Sequence, residues 1–186
     1  LKDHPDMAVR NQVYYLIGVF IDACWKTPCC TGYTLSCDRV RDLWSEFRNV
    51  IYDETTHPNV LRSVLTSMST CMNTIINSDH CLNIVTYNDF EQLISLYSKS
   101  NFKPLKVEVL NLFAKLDYLS LNYLNIYHWS RVRINITGSM SENLQDRILN
   151  EVIMASLTDE SQMIRMAASS VLLAVVPNLY IGSDGN

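Results

Sequence analysis

Cysteine and histidine carry the widest chemical reach in this chain, and their spacing speaks against catalysis. The cysteines stand at 24, 29, 30, 37, 71 and 81 and the histidines at 4, 57, 80 and 128. His80-Cys81 together with Cys71 offers metal-ligand types, yet no Cys-x-x-Cys or His-x-x-x-His spacing supports a metal site. Cys29 and Cys30 are adjacent, and neighbouring residues rarely both ligate one small ion. A Cys–His nucleophile pair needs closeness in space, which spacing alone does not supply. Cys71 falls within an apolar stripe of Val64, Leu65, Met68, Cys71, Met72 and Ile75, where a buried free thiol is ordinary. The cysteines are read as reduced packing or loop thiols and not as a disulfide framework. That reading expects a cytoplasmic protein, with the nucleus as a second compartment.

Other chemistries find little support. The chain has 5 glycines, none clustered ahead of a helix, so it lacks a phosphate-cradling loop. Asp53-Glu54 and Asp159-Glu160 pair carboxylates, but at helix ends. Asp159-Glu160 lies just ahead of a helix start, where negative charge suits the positive end of the helix dipole. A net charge of -4 gives no global field to attract a phosphate backbone, so no nucleic-acid partner is expected. No apolar run is long enough to span a bilayer; the best, Val13 to Phe20, is short. Asn135-Ile136-Thr137 is a formal glycosylation triplet of a common kind. No catalytic residue, cofactor or metal is expected, and the chain is read as not an enzyme.

The elements beneath these residues are helical. With 48% hydrophobic residues there is ample material for a core, and glycines and prolines are too few for a β-sandwich. Apolar residues recur at three- and four-residue steps. They predict helices over about 6–24, 38–52, 59–77, 88–98, 105–119, 141–157 and 162–176. Asp6 is a cap candidate for the first. Gly18 suits a place where helices pack closely, and Pro177 is expected to stop the last helix. Residues 25–37 read as a loop, and 120–139 as a short helix or an extended segment.

A turn followed by an aliphatic residue and a base recurs, at Val9-Arg10, Leu61-Arg62, Leu105-Lys106 and Ile164-Arg165. The spacings are 52, 44 and 59 residues, against about 40–47 for a HEAT or armadillo unit. The excess falls in the two loop segments. Such a turn opening the second helix of a hairpin predicts an all-α, HEAT/armadillo-type α-solenoid. It would hold a leading helix and three hairpins, 38–77, 88–119 and 141–176, in one segment covering 1–186 of a larger solenoid. Self-similar hairpins stack because one alone cannot bury its apolar face. Asp6, Arg10, Arg62, Lys106, Asp159 and Arg165 are then a structural ladder, each base expected to pair with a neighbour's turn carboxylate. Read instead as an anion-binding row, the arginines are less well explained, since exposed pairs of this kind contribute only about 0–1 kcal/mol but fix register.

Tyr118, Tyr123, Tyr127 and Trp129, with His128 among them, are the candidate partner contact, because Tyr and Trp are enriched at interface hot spots. The alternative is that these rings pack back over the 88–119 hairpin.

The run Leu144-Gln145-Asp146-Arg147-Ile148-Leu149-Asn150, then Asp159-Glu160, Ile164-Arg165, Ala167-Ala168-Ser169 and Val176-Pro177-Asn178-Leu179-Tyr180, resembles the huntingtin family. The likeness is to an internal HEAT segment of the amino-terminal half, in a diverged, non-vertebrate form. Weaker likeness runs back through Phe90-Glu91-Gln92-Leu93-Ile94 to His4-Pro5-Asp6-Met7-Ala8-Val9-Arg10, while residues 25–37 and 126–139 match poorly. The resemblance implies a non-catalytic scaffold active in vesicle trafficking, motor attachment and autophagy. It implies protein partners: neighbouring HEAT repeats of the same chain and a helical huntingtin-associated protein. A tuberin-like scaffold or a ubiquitin-pathway adaptor is the alternative within the fold. A helical thiol enzyme is the rival class.

Overall fold

The fold is that of a computed structural model, which describes residues 4–26, 35–77, 84–118 and 147–179. Its contacts gather into two compact units, Leu1–Val85 and Thr86–Asn186. Among the described residues both are built of helices without strands.

Unit 1 holds α1 (Met7–Lys26), α2 (Cys37–Tyr52) and α3 (Pro58–Ile76). Side chains near each start take up backbone donors that a helix leaves unpaired. Asp6 Oδ1 accepts from the Ala8 N–H at 2.8 Å. Ser36 Oγ accepts from Arg39 N–H at 3.4 Å at the head of α2. At α3 the ring of His57 does the same, its Nδ1 accepting from Asn59 N–H at 3.2 Å, with Pro58 at the first helical position. The α3 stripe is fully inside: Val64, Leu65, Met68, Cys71, Met72 and Ile75 are all buried.

The chief neighbour of α3 is α1, and α2 lies against both. The sequence pairs α2 with α3 as a hairpin, but the more extensive contact joins α1 and α3, the two helices that open with the aliphatic-base motif. The reason is visible at Gly18. A Cβ there would stand 2.6 Å from the carbonyl oxygen of Ser67 and 2.9 Å from its Cα. Without a side chain at that point, backbone meets backbone. Below the crossing, Thr74 donates to the carboxylate of Asp22, and Tyr14, Ile21 and Cys24 fill the core beside it. Trp44 and Phe47 of α2 meet edge to face at 5.8 Å and are wholly buried.

Unit 2 holds α4 (Tyr87–Lys99), α5 (Lys103–Ala114), α6, and α7 (Gln162–Leu179). The helix α6 begins as a π-helical stretch, Ile148–Ile153, and continues as the α-helical Met154–Leu157. Asp89, buried, accepts from the Thr86 N–H at 2.7 Å and closes the start of α4. Again like helices pack most: α7 chiefly against α5, with α6 beside α7 and α4. Ala167 and Ala168 of α7 are buried. Within each unit, stacking of motif helix on motif helix is the packing of an α-solenoid.

Two helix ends and one winding depart from the periodicity. The fifth helix ends at Ala114, not 119. The N–H of Lys115 bonds back to Leu112 and that of Leu116 to Phe113, a tightened last turn. The Phe113 carbonyl also accepts from the Tyr118 hydroxyl at 2.9 Å, in place of the next helical N–H. The sixth helix carries the π-stretch, in which Met154 N–H reaches Leu149 O. This winding puts Ile148, Val152 and Ile153 inside together, each without exposed surface. Residues 141–146 lie outside the described residues. The last helix passes through Pro177 to Leu179. Proline removes one backbone donor there, but its fixed φ is already helical.

Candidate functional site

Exposed, reactive thiols would favour a helical thiol enzyme, and inert buried ones the scaffold. Cys24 and Cys71 are buried, Cys37 is half-buried, and none of the three is in a disulfide. Cys71 sits on α3 with its Sγ donating to the Ser67 carbonyl at 3.4 Å. Burial, and then the carboxylate of Asp22, push its pKa up from 9.0 to about 12. Such a thiol is a poor nucleophile. His57 and His4 each use Nδ1 to accept a backbone N–H, from Asn59 and Asp6. Cys29, Cys30, His80, Cys81 and His128 lie outside the described residues. Among the described residues no group of three or more His, Cys, Asp or Glu is placed to hold a metal ion.

At pH 8 the Cys71 thiolate should be about a thousandfold scarcer than that of a thiol with pKa 9.0. Mass spectrometry after brief alkylation should find Cys71 unlabelled in the native chain and labelled once the chain is denatured. Labelling as fast as Cys37 would show that α1 and α3 do not seal it. The linked stability has a defined window. The folded pKa is raised, so the neutral thiol's contribution is complete below about pH 9 and is lost as pH climbs toward about 12.

The motif residues do not form the expected ladder of carboxylate pairs. Arg165 turns back on its own turn: its Nη1 donates to the carbonyl oxygens of Asp159 and Glu160 at 2.8 and 2.9 Å. Asp159 meanwhile accepts from Ser161 N–H at 2.8 Å. Lys106 places its Nζ 4.9 Å from the ring centre of Tyr97, a cation–π contact. Arg62 is exposed, and Asp6 is a helix cap. Main-chain carbonyls and a ring thus replace the neighbour's carboxylate. In an unpaired turn a carbonyl offers a nearer acceptor, with no second charge to desolvate.

Arg10 differs again. Among the described residues its Nε is buried without a hydrogen-bond acceptor, and Asn11 Oδ1 is buried without a donor. The Arg10 side chain lines a cleft of about 440 Å³ in unit 1, walled by α1, α2 and the turn that leads into α3. Asp53 in that turn accepts from Thr55 N–H at 2.9 Å, and its hydroxyl contacts to Thr55 and Thr56 complete a closed loop. Those bonds, Thr55's first, hold the Asp53 carboxyl below its usual pKa.

The sequence offered no sign of a second arrangement, in unit 2. Arg147 pairs with Glu91 of α4 and, through Nε at 2.7 Å, with Glu151 of α6. Its Glu151 hydrogen bond is the main reason its pKa rises. Deeper in, the Tyr97 hydroxyl meets Ser156 Oγ, which bonds to the Val152 carbonyl at 2.5 Å. This buried chain, with the Arg147 clamp, ties α6 to α4. The residues involved lie some sixty positions apart, beyond the reach of any periodic pattern.

Tyr118 is corrected as a partner contact. It is 1% exposed, its hydroxyl is spent on Phe113, and burial pushes its pKa well up. Tyr123, Tyr127 and Trp129 lie outside the described residues. The exposed apolar surface is elsewhere, on Tyr15, Leu16 and Phe20 of α1 and on Met163, Met166 and Leu173 of α7, the last 76% exposed. Leu16 and Phe20, four residues apart, share one side of α1, and Met163, Met166 and Leu173, at steps of three and seven, share one side of α7. No described helix is long and apolar enough to cross a membrane.

The family model described as "Huntingtin, N-terminal HEAT" matches residues 1–186. Among curated proteins nothing matches, and no solved structure matches.

Proposed function

The chain belongs to the huntingtin N-terminal HEAT family, and from that premise we propose that it is a non-enzymatic segment of a protein-binding scaffold. The family match along the whole chain carries the reading, and it favours the huntingtin type over a tuberin-like or ubiquitin-pathway scaffold. Two features lend support. Motif helices stack on motif helices in both units, and apolar side chains remain outward on α1 and α7. A solenoid covers such faces with further repeats or with partners. Cys71, a buried thiol held protonated, is not suited to be the nucleophile of a thiol enzyme.

The finer proposal is that the segment serves vesicle trafficking, motor attachment and autophagy, in the cytoplasm and also in the nucleus, and that it contacts a helical huntingtin-associated protein. Calorimetric titration of the chain with that helical protein should give a Kd of about 1 μM or tighter. Absence of heat across the titration would remove the partner. Turnover of ester or thioester substrates that disappears when a cysteine is replaced by alanine would sink the non-enzymatic reading itself.

A further inference from the structure

Two helices show solvent a side without charge. Between Met7 and Cys24 of α1 the exposed residues are Ala8, Gln12, Tyr15, Leu16, Phe20 and Ala23. Between Gln162 and Val175 of α7 they are Gln162, Met163, Met166, Ser169, Ser170 and Leu173. By contrast, α2 exposes Asp38, Arg39, Arg41 and Asp42. A charged helix side laid over α1 or α7 would bury charge with nothing to pair it. An uncharged helix side meets no such cost, and each of these two is one.

Size then matches the two to each other and not to themselves. The large side chains of the α1 side stand at its middle, Leu16 and Phe20 one turn apart with Tyr15 beside them, and alanines lie toward its ends. The α7 side is the reverse, with Ser169 and Ser170 between Met166 and Leu173. Helices pack ridge into groove, so α1 on α1 would crowd and α7 on α7 would leave a gap. The two serines can be covered without loss. Ser169 Oγ donates to the Arg165 carbonyl at 3.0 Å and Ser170 Oγ to the Met166 carbonyl at 3.3 Å, so neither hydroxyl needs water. Ser67 shows the covered form of the same bond: its hydroxyl donates to the Ser63 carbonyl at 2.7 Å, and α1 crosses over it at Gly18.

We propose that α1 of one copy of this chain docks on the outer side of α7 of a second copy, Leu16 and Phe20 entering at Ser169 and Ser170 between Met166 and Leu173. Motif helix on motif helix is already the packing inside each unit, α1 on α3 and α5 on α7, and the contact carries that stacking from copy to copy. The inference rests on the scaffold reading and names one partner for both outward sides. Because the two surfaces differ, the assembly closes as a ring or continues as a chain.

Sedimentation equilibrium of the intact chain tests this. At about 100 μM the unaltered chain should form dimers or larger species. Leu16→Arg and Ser169→Arg should each weaken association at least about tenfold. Mixed in equal amounts, the two variants should form a dimer and nothing larger, because one keeps its α7 side and the other its α1 side. Association of either variant alone at full strength would overturn the pairing in favour of like-with-like contact. A mixture that stays monomeric would overturn it as well. An unaltered chain still monomeric at about 1 mM would remove the second copy as occupant, and would leave standing a scaffold that binds other proteins. Circular dichroism checks that the variants fold, and Phe20→Arg with Met166→Arg repeats the comparison should either fail.

Discussion

Gly18→Val should unfold unit 1 more readily than any surface change, lowering stability by about 1–3 kcal/mol or more. Even Gly18→Ala should destabilise. In an exposed helix that change is favourable by about 1 kcal/mol, because alanine restricts the unfolded chain and suits the helix. Here the added Cβ would stand 2.6 Å from Ser67 O and 2.9 Å from Ser67 Cα, and both atoms are backbone. A flexible side chain could swing away from such a contact; a helix must shift bodily. Shifting α3 would disturb the Thr74–Asp22 hydrogen bond and the buried row from Val64 to Ile75. Urea unfolding followed by circular dichroism reads the sign directly. A stability gain for Gly18→Ala would mean that α1 and α3 do not meet at this point.

Ala168→Trp is the matching experiment in unit 2. Ala168 has no exposed surface and lies on α7, whose chief neighbour is α5. An indole there has no space to enter, and overpacking of this size costs about 1–3 kcal/mol and sometimes more. Arg165→Glu on the same helix should do less. It removes the bonds to the Asp159 and Glu160 carbonyls and brings a third carboxylate to that turn. Since the turn is partly exposed, the loss should be about 0.5–1.5 kcal/mol. The order of the two melting temperatures is the test. Equal, near-zero shifts would remove the stacking of α7 on α5.

Much of this was legible in the chain, and the reasons differ from element to element. The α3 stripe could be read because a helix repeats its buried side every three or four residues, and nothing interrupts Val64 to Ile75. Gly18 could be read as a place for close packing, but Ser67 as its partner could not, since sequence carries no register between distant helices. Tyr118 misled because tyrosine is enriched at interfaces, and only the geometry of the last turn, which the predicted helix 105–119 did not contain, folds its hydroxyl onto Phe113. Arg165 was found as a motif residue with the wrong acceptor. Charge complementarity suggested a carboxylate, whereas the turn supplied nearer carbonyl oxygens. Arg147 and Ser156 gave no local signal, because Glu91 and Tyr97 come from another helix. The huntingtin likeness came from the order of small motifs near the end of the chain, and the family match extends it to residues 1–186.

The π-stretch in α6 also fixes a phase. An α-helix advances about 100° per residue, so one residue more or fewer in a turn rotates everything that follows by roughly that angle. Ile148–Ile153 holds the wider winding just before Ser156. The wider turn absorbs its extra residue and keeps Ser156 facing the Tyr97 hydroxyl, whereas one residue added or removed in the ordinary helix between this stretch and Ser156 would swing Ser156 away. Length in this short stretch is therefore a form of addressing. The number of residues, as much as their kind, decides which side chains reach α4.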